Sequence, residues 1–234
     1  MTGESDQSKM YELALLSTQA KRYSDTISLY QSYLASNPNS DISPCNRLLL
    51  YNAFNHRIIN ECFHSYSKLT SLHGNNLSIS LLKFVETIEN EIDSLCLTIV
   101  KIIDNYFLAS PLNKDQDIIE TLRRRGDYLY YQSSIARPGG KCIMLQAALR
   151  SYTEGVERSR LTLPINNHER LNVLLRKCSC ETQLTGTIHS SYDELIETMN
   201  ELTVYLNNNN TTDQQLTTII QQMEIYKQKW ENLI

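Results

Sequence analysis

The chain has 234 residues, 41% of them hydrophobic and 21% charged, with a formal net charge of -4. That length is enough to bury a core as a single domain, the composition lies far from that of disordered chains, and the charge balance leaves no basic footprint for nucleic acid. The N-terminus MTGESDQSKM carries no apolar signal core, and no stretch approaches the roughly eighteen apolar residues of a membrane span, so a cytoplasmic protein without membrane insertion is expected.

Residues 1–7 are expected to be disordered, and the first two helices to part near Arg22. The prolines and most glycines then fall between periodic segments: Pro38 and Pro44, Gly74, Pro111, Pro138 with Gly139 and Gly140, Pro164, and Gly186. Cutting there and at the Asn207 to Asn210 run leaves eight or nine helices. The clearest runs from about Ser78 to Leu108, where Val85, Ile88, Ile92, Leu95, Ile99, Ile103 and Tyr106 recur at spacings of three and four. Further stripes are Leu145, Ala148, Tyr152 and Val156, then Tyr192, Leu195, Met199 and Leu202, and finally Ile219, Ile220, Met223, Tyr226 and Trp230. None alternates with period two. An all-α fold follows, and short connections make it an array of antiparallel helical hairpins, concave in form and covering 1–234 as one domain. No clean 34-residue repeat supports a tetratricopeptide array.

Cys45, Cys62, Cys96, Cys142, Cys178 and Cys180 are expected to be reduced thiols serving as partly buried small hydrophobes. Cys178 and Cys180 stand two apart, which on a helix sends them about 200 degrees from each other and prevents ligation of one ion. His56, Asn60 and His64 share a stripe, but Cys62 lies off it, so no Cys-His nucleophile pair is expected. No glycine-rich phosphate loop or metal motif is present in the sequence; neither an enzyme nor a cofactor is implied. Asn76-Leu-Ser78 and Asn209-Asn210-Thr211 fit the glycosylation pattern, which carries little weight without an export signal.

Gln19-Ala-Lys-Arg-Tyr-Ser-Asp25 resembles the first helical hairpin of the 14-3-3 family. Other segments follow in the family's order: Ile88-Glu-Asn-Glu-Ile-Asp-Ser-Leu-Cys96 in a long fourth helix, Arg125-Gly-Asp-Tyr128 in the fifth and Ser151-Tyr-Thr-Glu154 in the sixth. Leu163-Pro with Arg170-Leu171 then opens the seventh, Tyr192-Asp-Glu-Leu-Ile196 lies in the eighth, and Ile219-Ile-Gln221 with Trp230 in the ninth. The resemblance spans nearly the whole chain. It implies about nine antiparallel helices in a cup, paired into a dimer, with a groove that holds a phosphoserine or phosphothreonine peptide of a client protein. The long acidic tail common in the family is expected to be missing.

The phosphate chemistry departs from that pattern. The family supplies a lysine and an arginine seven apart on the third helix and an Arg-Tyr pair on the fifth. Alignment through Arg47-Leu-Leu-Leu-Tyr-Asn-Ala-Phe-Asn55 puts Asn55 and Cys62 at the first two, and alignment through Arg125-Gly-Asp-Tyr128 puts Tyr130 and Tyr131 at the pair. Backbone-holding asparagines of the seventh and ninth helices become Arg176 and Tyr226. Leu175 keeps an apolar cup position, while Ser179 and Gln222 do not. Arg123 takes a groove lysine position seven residues before Tyr130, with Arg124 and Arg125 read as solvated surface. Arg57 is a further candidate cation. At the dimer contact that the resemblance implies, Leu16 and Ala20 supply apolar surface, the alternative being that they face the protomer's own core. Arg22 and Glu91 occupy the positions of a cross-protomer ion pair, and the family's aspartate is kept as Asp25 while its lysine partner position holds Thr87, with Lys83 one turn earlier.

Two readings stay open beside an adaptor with weakened or altered phosphate recognition. One is a phosphate-independent helical scaffold; the other is an inactive partner in mixed dimers with a better-equipped homologue.

Overall fold

The computed structural model describes residues 2–38, 40, 42–73, 78–110, 114–186, 189–209 and 214–231. Gly74, Asn76, Pro111, Asn210 and Thr211, named above, lie outside them. Among the described residues there are nine helices and no strand. They are α1 (Thr2–Gln19), α2 (Tyr23–Ser36), α3 (Pro44–Asn55, continuing through a π-helical His56–Phe63 into His64–His73) and α4 (Ile79–Ile102, ending in a π-helical turn Ile103–Phe107). Then come α5 (Asp115–Ile135), α6 (Pro138–Thr162), α7 (His168–Thr185), α8 (His189–Asn209) and α9 (Gln214–Glu231). No helix among the described residues is long and apolar enough to cross a membrane. α1 reaches back to Thr2, into the stretch for which no order is expected from sequence.

The chain divides into two compact units, Met1–Leu112 and Asn113–Ile234. In the first, α1 ends where Lys21 adopts φ 59 and the Arg22 N–H reaches back to the Ser17 carbonyl at 2.8 Å. That left-handed closure places the first helix boundary beside Arg22. Ser43 caps α3, accepting from the Asn46 N–H, with Pro44 in the first turn where its missing N–H costs nothing. The core below holds Tyr30, Leu34, Leu50, Phe54, Ile58, Ile92, Ile99 and Phe107. Two polar groups enter it with partners: the Tyr30 hydroxyl donates to Asn46 Oδ1 at 2.7 Å, and buried Arg47 donates from Nε to the Ile42 carbonyl at 2.7 Å while its guanidinium lies 5.1 Å from the Phe107 ring centroid. Along α4 the stripe read from sequence is buried at Val85, Ile88, Ile92, Ile99 and Ile103, with Cys96 in the same row and Leu95 only partly covered.

In the second unit α5, α6 and α7 pack closely. Gly126 and Gly155 allow it: a Cβ on Gly126 would lie 2.7 Å from Tyr152 Cδ1, and one on Gly155 2.9 Å from Val173 Cγ2. Asn167 caps α7 by accepting from the Glu169 and Arg170 N–H groups at 2.9 and 3.3 Å, and Gly186 closes it at φ 67. Leu145, Ala148, Tyr152 and Val156 are buried as expected, as are Leu195, Leu202, Ile219, Met223 and Trp230 from α8 and α9.

Candidate functional site

On α5, residues 123, 127, 130 and 131 fall on one helical face, since spacings of four, seven and eight bring side chains into register. At the centre is Asp127, whose side chain is only 7% exposed. Its Oδ2 accepts from Arg123 Nη1 at 3.0 Å, and its Oδ1 accepts from the Tyr152 hydroxyl at 2.9 Å. The Nε of Arg176, from α7, lies 3.3 Å from the same Oδ1. A buried carboxylate with three partners is satisfied.

Arg123 has a second carboxylate partner. Besides Asp127, it donates from Nε to Glu169 Oε1 and from Nη2 to Glu169 Oε2, the latter at 3.4 Å. Its side chain is 11% exposed. Burial works against its charge, but Glu169 and Asp127 outweigh that and hold the guanidinium firmly protonated. Arg176 is held in its charged form chiefly by Asp127, yet half of its side chain is open to solvent. Two guanidinium groups thus face two carboxylates, and the cluster carries no net charge.

Around it stand phenols. Burial pushes the Tyr130 hydroxyl above its ordinary range, with a hydrogen bond from Ser179 acting the other way. Burial and then the Asp127 charge raise Tyr131, and the same two causes raise Tyr152 well beyond its usual value. All three are neutral donors at physiological pH. Beside them a cavity of about 330 Å³ is lined by Asn172, Leu175 and Arg176 of α7 and by Gln222, Ile225 and Tyr226 of α9. The Tyr226 ring leans on Trp230, their centroids 5.5 Å apart, which fixes one wall of the cavity.

Of the groove residues expected from sequence, Arg123, Tyr130, Tyr131, Leu175, Arg176, Ser179 and Tyr226 therefore gather on α5, α7 and α9. Glu169 was not foreseen. Its only sequence signal is an acid opening the seventh helix, and nothing in one dimension says that it reaches an arginine 46 positions earlier.

Asn55 and Cys62 belong to the first unit. Asn55 is partly exposed at the last α-helical turn before the π segment. Cys62 is buried, its thiol pushed up to about 11 mainly by burial with Glu91 adding to the shift, so it carries no charge. The nearby Arg57 bridges Glu61 and Glu91, which employs the further candidate cation within its own unit. The residues expected at a dimer contact are also here. Leu16 is 60% exposed and Ala20 exposed, so neither is packed into the core of this unit. Arg22 pairs with Asp25 on the same chain.

Cys178 and Cys180 are both buried and point apart, the first toward the Ser191 carbonyl at 3.6 Å, the second toward that of Leu145 at 3.4 Å.

Residues 13–231 match the family model for the 14-3-3 protein. The chain belongs to the 14-3-3 family. It is 23% identical over 175 residues to 14-3-3 protein beta/alpha-1 of Oncorhynchus mykiss, which covers 73% of this chain and 70% of that one. It is 22% identical to 14-3-3 protein theta of Gallus gallus over the same shares. Nine helices without a strand among the described residues agree with the 14-3-3 fold. Membership supports an adaptor or scaffold acting on other proteins, rather than an enzyme.

Proposed function

We propose that this chain is a 14-3-3-like adaptor that takes an extended segment of a client protein on the surface formed by α5, α7 and α9, with phosphate recognition weakened. The observation that carries the reading is the charge balance around Asp127. A phosphoryl group brings about -1.5 to -2 charges and needs several charge-assisted donors held at one point. Here Arg123 already serves two carboxylates, and Tyr130 and Tyr131 offer only neutral hydroxyls. Each missing charged hydrogen bond forfeits about 1.5 to 3 kcal/mol, so the usual pose would be weak by several kcal/mol.

What remains suits a peptide. Arg176, half exposed, offers a donor at the cavity edge, while Leu175, Ile225 and Tyr226 offer apolar and aromatic surface. The phosphate-independent reading draws on the same neutrality and on Ile225, which is 63% exposed beside Tyr226. A homodimer, or a mixed dimer with a homologue, would cover Leu16 and Ala20 on α1.

Fluorescence anisotropy with matched peptides, one phosphorylated and one not, at two salt concentrations, tests the proposal. A modest preference for the phosphorylated peptide that fades with salt is expected. Equal affinities would favour the phosphate-independent scaffold, and no binding of either would remove the peptide reading.

A further inference from the structure

The way Arg123 is held differs on its two sides. Asp127 is one turn along the same helix, more deeply buried, and shared with Tyr152 and Arg176. Glu169 comes from another helix and takes the Nε/Nη2 edge of the guanidinium with both of its oxygens. That edge is the fork with which an arginine binds a phosphate or carboxylate bidentately. Nothing in the α7 backbone requires the carboxylate to be there, because Asn167 already accepts from the Glu169 and Arg170 N–H groups.

We infer that Glu169 is a built-in occupant of the anion position at Arg123, and that it sets how poorly this surface tells a phosphorylated ligand from an unphosphorylated one. The inference rests on the peptide-binding reading for its biological meaning, though not for its chemistry. With Glu169 in place the cluster of Arg123, Arg176, Asp127 and Glu169 has zero net charge, and an incoming phosphate must displace a carboxylate before it gains a donor. Without that carboxylate the cluster carries one positive charge and a vacant guanidinium fork. A side chain that merely stabilised the first turn of α7 would change neither property.

Glu169→Gln removes the charge while keeping the shape. Its affinity for the phosphorylated peptide should rise about tenfold, the scale set by one competing charge-assisted pair, with the unphosphorylated peptide unchanged. Adding Arg123→Gln to it should abolish the gain. Glu169→Asp, which keeps the first-turn charge but shortens its reach, should give a smaller gain in the same direction and serves if the glutamine variant folds poorly. An unchanged affinity, or an equal gain for both peptides, would overturn the inference while leaving the adaptor reading intact. Should neither protein bind either peptide, the adaptor reading falls. Free phosphoserine then decides: a raised thermal unfolding midpoint for Glu169→Gln but not for the wild type supports the inference, and no rise in the variant refutes it.

Discussion

The Tyr152 hydroxyl of α6 donates to Asp127 Oδ1 of α5 at 2.9 Å, with both side chains buried and two arginines gathered on the same carboxylate. Removing the negative charge leaves Arg123 short of one of its two partners in a nearly dry setting. Asp127→Asn should therefore lower stability by about 3 kcal/mol, as expected when a buried pair loses one member. Tyr152→Phe, which spares the charges, should cost only about 1 kcal/mol. Urea unfolding of the two variants beside the wild type measures both; a similar loss in each would mean that the phenol, not the arginines, is what Asp127 holds.

Gly126 precedes that aspartate and lies against the Tyr152 ring. A methyl group there would meet ring atoms at 2.7 Å, inside contact distance, in a place where the ring has little room to retreat. Gly126→Ala gains helix propensity of about 1 kcal/mol but should lose more through overpacking and through displacement of the Tyr152–Asp127 bond. A net loss of about 1 to 2 kcal/mol in the unfolding free energy is expected, and a gain would show that the ring moves freely.

The six cysteines divide by burial. Cys45 and Cys142 are exposed, while Cys62, Cys96, Cys178 and Cys180 are buried, with burial pushing Cys62 up to about 11 and Cys178 and Cys180 to about 12. Iodoacetamide at pH 8 followed by mass spectrometry should label the two exposed thiols alone until the chain is unfolded. The same shifts predict a pH effect. A thiol whose value is higher when folded binds its proton more tightly in the native state. Its contribution is then complete below the unfolded value of about 8.5 and declines as pH rises toward 11 to 12. Unfolding free energy should accordingly fall from about pH 9 upward, and less steeply in a Cys178→Ala variant.

Helix-period stripes made the architecture legible, because Ile88, Ile92 and Ile99, or Leu145, Ala148 and Tyr152, recur at a spacing that only a helix buries on one side. Short connections marked by Pro138, Pro164 and Gly186 gave the boundaries. The site was legible only as a set of positions. Sequence placed Arg123 and Arg176 near one another through family alignment, and Asp127 is one turn from Arg123 on the same helix, but the pairing of Arg176 with Asp127 and of Arg123 with Glu169, 46 positions away, depends on how α5 meets α7. The π-helical stretch His56–Phe63 was equally hidden, since its residues keep an ordinary helical composition; yet it is there that Arg57 reaches both Glu61 and Glu91.

Leu13 and Leu16 stand 53% and 60% exposed on α1, and Leu82 and Phe84 of α4 are 51% and 53% exposed. Apolar side chains this open are stabilised when another surface covers them. The ionic groups add little, since Arg22 is met by Asp25 and an exposed pair contributes at most about 1 kcal/mol. If α1 pairs with a second protomer, Leu16→Asp should shift sedimentation velocity profiles from dimer to monomer at micromolar concentration, whereas Arg22→Gln should barely move them. A monomeric wild type would remove the dimer from the proposal.

Arg176 tests the site without disturbing the core. Half of its side chain is exposed and its carboxylate partner retains Arg123 and Tyr152, so Arg176→Gln should change stability by less than about 1 kcal/mol. Its effect on a bound peptide should be larger, because it is the cation that lines the cavity with Leu175 and Tyr226. A loss of about ten- to a hundredfold in peptide affinity is expected, the worth of one charge-assisted hydrogen bond. If the loss is the same for phosphorylated and unphosphorylated peptides, Arg176 holds the peptide backbone, in keeping with the asparagine position it occupies. A loss confined to the phosphorylated peptide would instead make it the phosphate's own partner. Unchanged affinity for both would move the peptide away from the cavity altogether.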